Sequence, residues 1–170
     1  KRQIYGCLLG YTLIADEMKN PLLKKMVEMI GYREGLPVVV DPGILDPGQF
    51  IDEVVTKRIP NPFMPDTPQR IATDTSQKLP IRFGETIKAY KESSRLSLED
   101  LHIIPLVFAG WLRYLMAVDD QGTPFEPSSD PLLETARSFV SSYRLGSIPE
   151  DLSGLDPLLA DSKIWGVDLI

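Results

Sequence analysis

Apolar residues along this chain recur at helical spacing, in segments cut by proline. Over residues 21–32, Leu22, Leu23, Met26, Val27 and Ile30 fall at i, i+4 and i+8 positions, the pattern of one buried helical face. Residues 4–18 form a mostly apolar run with Leu8, Leu9, Tyr11, Leu13 and Ile14, which predicts a helix of its own. Shorter patterns predict helices over 49–57, 82–91 and 131–143. The most apolar segment, 98–118, predicts the longest helix. Ser97 with Asp100 has the form of a capping box at its start. Pro105 in its first half predicts a kink or a late start, because proline has no N–H to give a helix interior. Only Val38 to Val40 favours a strand, and that run is too short to make a sheet.

The breaks have a chemistry of their own. Several pair an Asx residue with proline. An Asx side chain at N-cap accepts an orphan backbone N–H, and proline at the first helical position has none to lose. Helix starts are read at Asn20, Asp46, Asp130 and Asp156, and turns at Asp41-Pro42 and Asn61-Pro62. Residues 119–130 form the longest loop. Neither a repeat nor a low-complexity run is visible. The expectation is one all-α domain over residues 1–170, with roughly six to eight helices.

One helical segment does not fit an ordinary core. Residues 70–82, RIATDTSQKLPIR, carry few large apolar side chains, and Arg70, Asp74 and Lys78 recur every four residues. On one helix these would be neighbours on a single face. Two readings are open: a solvated face with two ion pairs, or a helix lining a polar pocket. In the second, Arg70 and Lys78 would donate to hydroxyls or a carboxylate, with Thr73, Ser76 and Gln77 nearby.

Composition narrows the classes. Net charge is −6 and the apolar fraction 43%, ordinary for a soluble globular chain. Lysine and arginine are dispersed, so no basic stripe argues for nucleic acid. No apolar run reaches the roughly 18 residues that a membrane span requires. The lone Cys7 excludes an internal disulfide and is read as a buried, inert thiol in a cytoplasmic protein. The lone His102 excludes a multi-histidine metal site, and no nearby residue supplies a catalytic partner, so it is read as packing or capping. Glu99-Asp100 and Asp119-Asp120 are read as cap and loop residues. GCLLG and GYREG lack the spacing of a phosphate-cradling glycine loop.

The segment RIPNPFMPDTPQRIATDTSQKLPIR, Arg58 to Arg82, resembles the R-(F/Y/I)-x-N-P and RIAxDxSQKLPxR signature of the mannitol dehydrogenase family, the long-chain polyol and sugar-acid dehydrogenases. CLLGYTLIADEMKNPLL and AGWLRYLMAVDDQGTPFEPSSDPLL are similar to further family segments, and LDPLLADSKIWGVDL is a looser match. The resemblance implies the helical C-terminal, substrate-binding domain of a two-domain enzyme. A Rossmann domain binding NAD or NADP, and a catalytic Lys-x4-Asn-x2-His motif, would lie upstream. Lys1 would fall just after that motif and would not be its lysine. By the same resemblance Arg70 and Lys78 bind the far end of an open-chain polyol or sugar acid. Asn61, Asp74 and Arg82 read as structural: a turn, a partner for Arg70 and a domain-packing residue. The favoured substrate pair is D-mannonate and D-fructuronate, with mannitol and fructose next. No metal is implied, and the chain alone lacks the residues for hydride transfer. The competing reading is a stand-alone helical binding or oligomerisation module without catalysis.

Overall fold

The structure is a computed structural model describing residues 3–170, so the placement of Lys1 lies outside the described residues. Among these residues every regular element is helical, apart from one isolated antiparallel bridge between Val118 and Pro124. Val38 closes a short 3-10 turn rather than a strand.

The chain order begins with α1 (Gln3–Leu8) and α2 (Ile14–Glu17). The single helix expected over 4–18 is therefore interrupted. Gly10 turns the chain at φ +75°, and Tyr11 N–H returns to the Gly6 carbonyl at 2.8 Å. Then come α3 (Pro21–Glu28), running on through a widened π-helical stretch (Met29–Gly35), and α4 (Pro47–Glu53), continuing through Val54–Arg58. Asn20 and Asp46 cap α3 and α4 as their sequence context predicts. The Asn20 Oδ1 accepts Leu22 N–H at 3.0 Å, and the Asp46 Oδ1 accepts Gln49 N–H at 2.6 Å. Asn61 turns the chain and accepts Phe63 N–H, also as expected.

Next are α5 (Pro68–Ala72), α6 (Thr75–Leu79) with the stretch Pro80–Gly84, and α7 (Glu85–Glu92). The helix expected over 70–82 is thus two short helices. The long helix α8 (Ile103–Leu115) starts late, as Pro105 predicts. The Ser97/Asp100 capping box forms, but it closes only a 3-10 turn (Leu98–Asp100). The chain ends with α9 (Leu133–Val140), α10 (Asp156–Leu159) and α11 (Ser162–Trp165). Two expected starts shift. Asp156 is the first residue of α10 rather than its cap, and α9 begins at Leu133, with the Asp130 carboxylate shared between Leu132 N–H and Ser76.

The core is built around α8, which packs against α1, α9 and Met29–Gly35. Trp111 and Trp165 are buried and meet edge to face at 5.4 Å, while Phe108 lies 4.8 Å from Trp165. The Trp165 indole N–H satisfies itself on the Leu158 carbonyl at 2.6 Å. Such aromatic pairs contribute about 0.5–1.5 kcal/mol each beyond the area they bury. Gly84 and Gly110 are among the glycines that permit close approach. A Cβ on Gly84 would stand 2.7 Å from the Trp165 carbonyl, and one on Gly110 would stand 2.6 Å from the Tyr5 ring.

Cys7 is buried on α1, as its apolar context predicts. Burial, with the Glu17 charge adding to it, pushes the thiol up to about 12, so at neutral pH it is the unreactive protonated form. The native protein is expected to leave Cys7 unlabelled by a thiol reagent at pH 8 and to react fully in denaturant. Rapid labelling of native protein would show instead that α1 opens readily.

Candidate functional site

A cleft of about 750 Å³ opens between α2, α3, α5, and α4 and α6 with the stretches that continue them. That is within the roughly 300–1,000 Å³ of small-molecule sites. Its walls are mainly apolar and include Ile14, Ile30, Val54 and Phe83, while its polar groups are Arg58, Asp66, Lys78 and Arg82.

Lys78, singled out in the sequence, lines this cleft. Its ammonium donates to the Thr73 carbonyl at 2.6 Å, which leaves further N–H donors for a ligand. Arg70 does not line the cleft but stands one residue removed. Its guanidinium grips both oxygens of Asp66, which does line it. The Arg70 side chain is otherwise 71% exposed. Its hydrogen bond holds the Asp66 carboxyl below the ordinary carboxylate range, and Asp66 in turn raises the guanidinium. The pair is nearly neutral, so Arg58, Lys78 and Arg82 give the cleft a net positive character.

The charged stripe expected on one helix face does not form. Among the described residues no ion pair joins Asp74 to Arg70 or to Lys78. The Arg70 partner is Asp66, one turn before it, and not Asp74. The reason is the break between α5 and α6. Thr73 adopts ψ 140°, and Asp74 enters the left-handed region at φ 52°. A non-glycine residue held there costs about 1–3 kcal/mol and persists only where its surroundings hold it. The break turns α6 relative to α5, so Arg70 and Lys78 no longer share a face. It also frees the Thr73 carbonyl from helical bonding, and that carbonyl anchors Lys78.

The segment after Ala117, itself at φ 59°, supplies the hold. Asp74 N–H donates to the Ser129 carbonyl at 2.9 Å. Ser128 Oγ donates to the Gln69 carbonyl at 2.6 Å. The Asp130 carboxylate accepts Ser76 N–H at 2.7 Å and Ser76 Oγ–H at 2.5 Å. Sequence reasoning missed Asp130 here, and missed Arg58 and Arg82 as cleft residues. Arg58 and Arg82 carry only the signal of lying within the signature segment.

His102 stands at the N-cap position of α8. Its backbone, not its imidazole, does the bonding there, with N–H donating to Glu34 at 2.8 Å. Asp119 and Asp120 are loop residues, as expected, and Arg113 ties that loop to α8 through the Val118 and Asp119 carbonyls. Among the described residues no cluster of histidine, cysteine or carboxylates could hold a metal, and no helix is long and apolar enough to cross a membrane. Among the described residues there is no strand–glycine loop–helix unit, the usual receiver of a dinucleotide's pyrophosphate.

Residues 4–169 match the family model described as the mannitol dehydrogenase C-terminal domain. The chain belongs to this family. It is 58% identical to the D-mannonate oxidoreductase of Thermotoga maritima, over 98% of this chain and 31% of that protein. It is 28% identical to the D-mannonate oxidoreductase of Escherichia coli, over 97% of this chain and 33% of that one. The chain therefore spans about a third of the length of these relatives. Among solved structures, it matches Pseudomonas fluorescens mannitol 2-dehydrogenase, seen in ternary complex with NAD and D-mannitol. There the TM-score is 0.79 at 24% identity, covering 96% of this chain and 30% of that one. That likeness establishes the mannitol dehydrogenase C-terminal fold, in agreement with the all-α expectation.

Proposed function

We propose that this chain is the substrate-holding helical domain of an NAD(P)-dependent oxidoreductase that interconverts a sugar acid and its keto form, D-mannonate and D-fructuronate being the favoured pair. The observation that carries the reading is the cleft: Lys78, Arg58 and Arg82 face it, while its carboxylate, Asp66, is neutralised by Arg70. Such a site favours a ligand with one anionic end and several hydroxyls over a neutral polyol. The 58% identity to a D-mannonate oxidoreductase supports the same choice.

In this reading Lys78 binds substrate directly, and Arg70 acts at the rim, keeping Asp66 quiet and offering N–H donors to the far end of the ligand. The nucleotide, NAD or NADP, is held by a Rossmann domain of the longer protein, and it supplies or accepts the hydride. The helical domain holds the carbon chain so that the reacting carbon lies close to the nicotinamide. Exposed Phe63 and Ile81, each next in sequence to a cleft residue, suit burial against such a domain. A cytoplasmic setting fits the single buried thiol.

The test is nicotinamide-linked reduction by the full-length protein encoded by the reading frame that contains this chain. D-fructuronate is expected to exceed D-fructose in kcat/KM by about tenfold or more, since one charge-assisted hydrogen bond contributes about 1.5–3 kcal/mol. Equal rates, or a preference for the neutral ketose, would overturn the sugar-acid assignment.

A further inference from the structure

The break between α5 and α6 is held from a distance. Asp74 occupies a backbone conformation that its own side chain does not support, since it makes no cap bond to α6. The first turn of α6 is capped instead by Asp130, 54 residues later in the chain. Asp130 takes the Ser76 N–H and hydroxyl, and its Oδ1 also accepts Leu132 N–H at 2.9 Å. A carboxylate at this place satisfies an orphan helix donor and complements the positive end of the helix. The same contact fixes where α6 begins and how it is rotated. Lys78 projects from α6, with its backbone N–H on the Asp74 carbonyl at 3.1 Å and its ammonium on the Thr73 carbonyl. Both acceptors belong to the break.

We propose that Asp130 is a positioning residue for substrate binding. By capping α6 and fixing the Thr73–Asp74 break, it holds the Lys78 ammonium in the cleft. The proposal rests on the reading of Lys78 as a substrate-binding group. It also accounts for a carboxylate that reaches across the chain to Ser76 while still accepting Leu132 N–H, with no side chain capping α9 itself.

The test is a double-mutant cycle in the full-length enzyme, with steady-state kinetics on the keto acid. Lys78→Met alone is expected to lower kcat/KM about 10- to 100-fold, the range of a lost charge-assisted hydrogen bond. Asp130→Ala alone is expected to lower it about tenfold, chiefly through KM, and Asp130→Asn to recover part of that loss. In the Lys78→Met background, Asp130→Ala is expected to cost less than about twofold, because residues acting through one contact are not additive. If Asp130→Ala costs the same factor in both backgrounds, Asp130 only stabilises the fold and the proposal falls, while the reading of Lys78 stands. If Lys78→Met lies within twofold of wild type, that reading falls and the proposal with it. Should Asp130→Ala not fold, Asp130→Asn and Ser76→Ala carry the same comparison under the same criteria.

Discussion

Replacing Lys78 by methionine in the full-length protein is expected to cut kcat/KM for the keto acid by about 10- to 100-fold and to leave the unfolding temperature almost unchanged. Lys78 is half-buried in the cleft wall and spends one donor on the Thr73 carbonyl. A ligand carboxylate or hydroxyl can take the others. Methionine keeps the length and apolar stem of the side chain, so packing survives and the charge is lost. A hydrogen bond to a charged partner contributes about 1.5–3 kcal/mol, which is the fold-change stated. Arg70→Ala should act differently. Arg70 is largely exposed, so removing its own hydrogen bond to a ligand costs little; the larger consequence is Asp66, left as an unpaired anion on the cleft wall. That anion should repel a sugar acid more than a neutral ketose. Arg70→Ala is therefore expected to narrow the preference for D-fructuronate over D-fructose, whereas Lys78→Met lowers turnover of the acid outright. A Lys78→Met enzyme with wild-type kinetics on the acid would remove Lys78 from the site.

The contrast between these two residues shows what the sequence could convey. Helices with their own apolar stripe and their own Asx-Pro start, α3 and α4, lie close to where the pattern puts them, because both signals are local. Lys78 stands out as one of three charged residues spaced four apart on a polar segment, and it lines the cleft although that spacing does not survive the fold. The break before it was not legible. Residues 73 and 74 include neither glycine nor proline, and the conformation of Asp74 is held by Ser129 and Asp130 from across the chain. A four-residue spacing therefore suggested one charged face where the chain makes two helices. Asp130 misled in the same way: its sequence context is that of an N-cap, and it is one, but for α6. Arg58 and Arg82 line the cleft from the widened stretches Val54–Arg58 and Pro80–Gly84, through which α4 and α6 run on. Pro80 opens the second of these, and its missing N–H is the one local cue.

The same long-range capping makes Glu34 the residue whose loss should unfold the domain most readily. Its carboxylate is buried and accepts three backbone N–H groups at the start of α8: His102 at 2.8 Å, Ile103 at 2.6 Å and Ile104 at 2.8 Å. The next residue, Pro105, has no N–H, and Leu106 N–H already reaches the His102 carbonyl. Glu34 thus completes the N-terminal accounting of the helix on which the core is built, and its charge sits at the positive end of that helix. Glu34→Ala removes all three acceptors at once and leaves Ile104 N–H buried where water reaches poorly. An abandoned buried donor costs about 1–3 kcal/mol, and the three together should cost about 3–5 kcal/mol, since His102 and Ile103 can recover water in part. For a chain of this size that lowers the unfolding midpoint by roughly 6–20 °C. Glu34→Gln keeps one carbonyl oxygen but turns an N–H toward the helix start, so it should fall between the alanine variant and the wild type. Denaturant unfolding of the two variants measures this directly. A loss below about 1 kcal/mol for Glu34→Ala would mean that water replaces the carboxylate, and that α8 is held by its apolar face rather than by its cap.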